Sequence, residues 1–126
     1  MKFAKIVFFV AGIYGFLVLT PVYFLENTIG RVTPPAITHP EFLYGFLGIA
    51  LVWQVVFLVV SSDPVRYRAM IVPSILEKIS YGITLLVLFA SGRITIATLA
   101  VTSGDWIFAF LFLAAYISTK SGRASA

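Results

Sequence analysis

Four apolar runs, each about 20 residues long, leave this chain few ways to fold. They cover approximately residues 6–25, 41–60, 69–89 and 95–118. A helix of about 20 residues rises about 30 Å, the thickness of the hydrocarbon layer of a bilayer. Backbone N–H and C=O groups have no water to bond to in that layer, so each run must satisfy them internally as a helix. The expected fold class is all-α: an integral membrane antiparallel four-helix bundle, with residues 1–126 as a single membrane domain.

Composition supports this and removes other classes. The chain is 60% hydrophobic and 11% charged, against about 25% charged for an ordinary soluble domain. There is no cysteine, which excludes disulfides, thiolate metal sites and a cysteine nucleophile. The single histidine, His39, cannot build a multi-histidine site, and no metal site is expected. No nucleotide loop, zinc-protease motif or redox CxxC occurs, so no cofactor is required by the sequence. A net charge of +4 raises the question of nucleic-acid binding. The basic residues sit at the ends of the apolar runs, however, which reads as membrane topology, with no nucleic-acid partner.

The first run follows Lys2 and Lys5 as a signal peptide would, but it is longer than a signal-peptide core and lacks a small-x-small cleavage site. It is expected to stay as the first span, kinked at Pro21. Residues 26–40 form the longest connection, broken by Asn27, Gly30, Pro34, Pro35 and Pro40. The second span opens at Pro40 and Glu41, since proline suits the first helical turn and a carboxylate the positive end of the helix dipole. Ser61 to Arg68 is a short polar turn. The fourth run is read as one continuous helix, although Gly104-Asp105 offers a place to interrupt it.

Orientation follows from the basic residues. Lys2, Lys5, Arg66, Arg68, Lys120 and Arg123 share one side of a four-span protein, and Arg31 and Arg93 lie on the other. This bias puts both termini in the cytoplasm, in a bacterial inner membrane.

Polar groups at membrane depth are the candidates for function, because they are costly to place there. Glu77 falls about 10–13 Å into the third span, Gln54 about 9 Å into the second and Tyr14 about 12 Å into the first. Glu77 is expected beside Gln54, bonded to it, in one layer closed by Tyr14 and Tyr81. Glu77, Ser80, Tyr81 and Thr84 share a helix face. Lys78 points about 100° away from Glu77 and is expected to snorkel to the headgroups as an interface anchor. Arg66, Arg68 and Trp106 are read as further anchors. Asp105 is placed about 18–20 Å from the cytoplasmic end of the fourth run, in a separate layer. Its alternative role is to cap a helix starting after Gly104.

The segments Pro40-Glu41-Phe42-Leu43-Tyr44-Gly45, Asp63-Pro64-Val65-Arg66-Tyr67-Arg68 and Ile75-Leu76-Glu77-Lys78, with Asp105 before Ala114-Ala115-Tyr116, form a pattern. It resembles the DoxX-like group of small four-helix bacterial membrane proteins. The resemblance implies the fold, and a connection of some members to quinone or redox chemistry. It brings no catalytic motif to this chain.

Three functions fit these residues. The first is an accessory protein, or one that binds a small hydrophobic ligand of lipid or quinone type, with the bilayer, a hydrophobic small molecule or a larger membrane complex as partner. The second is a proton- or cation-coupled transporter using Glu77. The third is an intramembrane enzyme on a lipid or isoprenoid, with Glu77 and Asp105 as acid and base. The first ranks ahead, because no inverted repeat marks a transporter and the two carboxylates fall in different layers. Homo-oligomerisation is left open.

Overall fold

The structure, a computed structural model, describes the backbone of residues 2–125 and the side chains of residues 2–120. Arg123, one of the six basic residues counted above, lies outside the described side chains. The elements are α1 (Lys2–Leu19), a 3₁₀ turn (Thr20–Phe24), α2 (Glu26–Val32), α3 (Pro40–Ser62), α4 (Arg68–Ala90), α5 (Ile96–Thr102) and α6 (Gly104–Ser125). No strand occurs among the described residues. Four helical stretches are long and apolar enough to cross a membrane: Lys2–Phe24, Pro40–Ser62, Arg68–Ala90 and Ile96–Lys120.

Local chemistry sets the element ends. At Pro21 the first helix tightens into the 3₁₀ turn, because proline has no N–H to give the carbonyl four residues back. The 26–40 connection carries the two-turn helix α2, held to α3 where Tyr44 donates to Glu26 Oε2 at 2.8 Å. Asp63 Oδ1 accepts from the Arg66 amide at 3.1 Å and closes the turn between α3 and α4. Helix α4 ends on Gly92, whose φ is +73°. The Arg93 amide then reaches back to the Leu88 carbonyl at 2.9 Å and the Gly92 amide to Phe89 at 3.0 Å, a paired closure that needs a left-handed residue at that position.

The fourth run departs from expectation. It is not one helix but α5 and α6, separated at Ser103. The Trp106 amide bonds to the Ser103 carbonyl at 3.1 Å, so α6 restarts in a tight turn with Asp105 in its first turn.

Helix α1 packs on α3, α4 on α6, and α1 on α6, while α3 and α4 meet more sparingly. The shared core draws on α1, α3, α4 and α6, with Phe8, Phe57 and Phe112 at its centre. Phe8 stacks on Phe112 at 4.2 Å between ring centroids, and Phe57 meets Phe112 edge-on at 5.0 Å. Such aromatic pairs contribute about 0.5–1.5 kcal/mol beyond their burial in water.

Small residues set how closely the pairs approach. Ala4, Ala11, Gly12 and Gly15 are buried on α1. A Cβ on Gly12 would stand 2.9 Å from Leu58 Cγ, and one on Gly15 would collide with the Gln54 amide. On α4, a Cβ at Gly82 would lie 2.5 Å from the Trp106 ring. Gly45 has nothing within 4 Å of such a position, so it takes no part in helix contact.

Gly82→Val should therefore lower stability in detergent by about 1–3 kcal/mol, the usual cost of overpacking. Combined with Trp106→Phe, part of that loss should be recovered. Thermal unfolding of the two single variants and the double variant tests this; strictly additive losses would contradict the contact.

Candidate functional site

The buried positions of α4 are Ile71, Ser74, Lys78, Gly82 and Leu85. Their spacing of three and four residues is one helical stripe, and Lys78 sits in its middle. The helix therefore turns Lys78 inward, at 8% exposure. This corrects the reading of Lys78 as a snorkelling interface anchor.

Lys78 Nζ lies 3.5 Å from Asp105 Oδ1 and 3.8 Å from Glu77 Oε2. It also stands 5.2 Å from the Phe57 ring centroid and 5.6 Å from that of Phe108, within the range of cation–π attraction. Two carboxylates and two ring faces thus surround one ammonium.

The separate layers expected for Glu77 and Asp105 are corrected by the same geometry. Arg68 Nη2 donates to the Tyr116 carbonyl at 3.1 Å, which fixes the level of α4 against α6. From that contact Lys78 is ten residues along α4 (78 − 68), and Asp105 is eleven residues back along α6 (116 − 105). Both are about 15–17 Å from the contact at 1.5 Å per residue. The break at Ser103 then places Asp105 at the positive end of the α6 dipole, where a carboxylate is favoured.

Gln54 does not join Glu77. It belongs to the buried stripe Leu47, Ala50, Gln54, Phe57 of α3 and meets Gly15 of α1. Its Nε2 donates to the Ala50 carbonyl at 2.8 Å, and its buried Oε1 has no partner among the described residues. Tyr14 is 49% exposed. It leans on Phe108 at 5.4 Å rather than closing the layer of Glu77.

Trp106 packs over Gly82 between α4 and α6, which makes it a seam residue. Arg68 stacks on the Tyr116 ring at 3.7 Å and locks two helices. Arg66 remains exposed, 5.4 Å from the Tyr67 ring centroid.

Glu77 and Tyr81 meet again on the other side of α4. There an open groove of about 270 Å³ runs between α3 and α4. One wall is Glu77, Ser80, Tyr81 and Thr84; the other is Phe46, Ile49, Ala50 and Trp53. Each set is spaced i, i+3, i+4, i+7, so each is one face of one helix. Tyr81 stacks on Phe46 at 5.6 Å across the groove. Sequence reading found the polar face and missed the apolar one, which was legible in the same spacing on the second run.

Comparisons with protein families, curated proteins and solved structures find no match to this chain.

Replacing Lys78 by methionine leaves two carboxylates without their ammonium. Lys78→Met should cost about 3–5 kcal/mol, the usual loss when one partner of a buried pair is removed. Adding Glu77→Gln and Asp105→Asn should restore most of it. Denaturation in detergent distinguishes this from an anchor, whose loss would be nearly neutral and insensitive to the two carboxylates.

Proposed function

We propose that the chain crosses a bacterial inner membrane as an antiparallel four-helix bundle with cytoplasmic termini, and that it binds a small hydrophobic molecule in the groove between α3 and α4. The membrane part rests on the four apolar stretches and on basic residues gathered at one set of their ends. Large apolar side chains cover the outside of all four, among them Leu17, Val52, Val87 and Phe110. Contiguous apolar surface on this scale fits a hydrocarbon solvent. The resemblance to DoxX-like proteins belongs to this proposal for the fold alone.

The observation that carries the ligand-binding part is the pairing of two helical faces of opposite character across one groove. An apolar, aromatic wall with a few convergent polar groups opposite is the usual chemistry of a small-molecule site. The groove opens sideways between the helices, toward the apolar surroundings from which a lipid-soluble molecule would arrive. The enzyme reading is less favoured, because Lys78 already fills the space between Glu77 and Asp105 where a substrate would have to sit.

Two measurements test the proposal. The protein reconstituted in nanodiscs should carry a small-molecule adduct in native mass spectra. Ile49→Trp, which fills the groove, should remove it; an adduct that survives is bound elsewhere. For topology, the chain has no native cysteine. Asn27→Cys and Ser62→Cys should therefore label from opposite sides with an impermeant thiol reagent, and labelling from the same side would refute the four-span arrangement.

A further inference from the structure

The polar wall of the groove has spent most of its hydrogens. Ser80 Oγ donates to the Glu77 carbonyl at 3.0 Å, and Thr84 Oγ1 donates to the Ser80 carbonyl at 2.8 Å. A hydroxyl has one hydrogen, so each now faces a ligand with lone pairs alone. An ionised Glu77 also only accepts. Among the lining side chains, Tyr81 and Trp53 hold the remaining O–H and N–H.

Charge points the same way. Behind the wall, Lys78 is one ammonium against two carboxylates. With all three ionised the cluster carries a net charge of −1 (+1 − 2), and Glu77 is its member on the groove. Phe46, Tyr81 and Trp53 add aromatic rings to the lining, and the negative quadrupole of such rings attracts a cation. A carbonyl-bearing ligand such as a quinone has acceptors only and would leave Glu77, Ser80 and Thr84 unmatched.

We propose that the groove takes a lipophilic organic ammonium, its N–H groups donating to Glu77, Ser80 and Thr84 and its apolar body lying on Phe46, Ile49 and Trp53. The assignment rests on the ligand-binding reading above and narrows it to one chemical class.

The test compares dodecylammonium, dodecanol and a decyl-substituted benzoquinone by calorimetry. The protein is held in phosphatidylcholine nanodiscs, with empty nanodiscs as the blank for partitioning. Dodecylammonium should bind saturably, at least tenfold more tightly than dodecanol. Glu77→Gln should reduce that preference to about twofold, and Glu77→Asp should retain it. The comparison on the unaltered protein stands even if a variant fails to fold. Equal binding of alcohol and ammonium would overturn the cation assignment and leave the groove as a site. Tightest binding of the benzoquinone would overturn it in favour of an acceptor ligand. No saturable binding of any of the three would overturn the ligand-binding reading itself, and the cation assignment with it.

Discussion

An ammonium removed from water carries a penalty of several kcal/mol unless opposite charge and hydrogen-bond acceptors replace its hydration. Lys78 meets that condition with parts drawn from three helices: Glu77 beside it on α4, Asp105 and Phe108 on α6, and Phe57 on α3. The arrangement constrains much else. It requires the break at Ser103 that presents Asp105, and it requires Gly82 one turn further along α4 so that Trp106 can follow. It sets the level at which α4 and α6 pass each other, with Arg68 on Tyr116 as the second fixed point.

The same economy of side-chain size explains why the groove exists. Helix α1 approaches α3 through Gly12 and Gly15, and α4 approaches α6 through Gly82. Between α3 and α4 no such set occurs. Phe46, Ile49 and Trp53 project there instead, opposite Tyr81, and side chains of that bulk hold two helices apart. The open face is thus a consequence of where the small residues lie.

How far this was legible in the sequence depends on the residue. Four long apolar helices followed from run length, because an apolar environment allows little but a helix. Their ends moved by a few residues, since hydropathy does not register caps such as Gly92 or hydroxyls that extend a helix such as Ser61 and Ser62. The polar face of the groove followed from the spacing of Glu77, Ser80, Tyr81 and Thr84. Lys78 was misplaced because snorkelling was judged from the direction of the side chain and not from its companions. Ser74 and Gly82 flank it at helical spacing, and small residues on both sides mark a helix contact. Gln54 was matched to Glu77 by depth and by the adjacency of sequential helices; neither gives azimuth, and Gln54 turns toward Gly15 of α1 instead.

Helix α5, like α2, stands apart from all this. No residue of α5 is buried, and at seven residues it is far shorter than the twelve to fifteen or so at which a helix begins to hold by itself. Its ends are tied by side chains: Thr95 accepts the Thr98 amide at 3.2 Å, and Thr102 and Ser103 donate back to carbonyls of the same turn. Those ties are local; beyond them α5 rests on α4, and it adds no residue to the core around Phe8, Phe57 and Phe112. A stretch with so few buried contacts is held less firmly than the core, and it ends three residues before the carboxylate that holds Lys78.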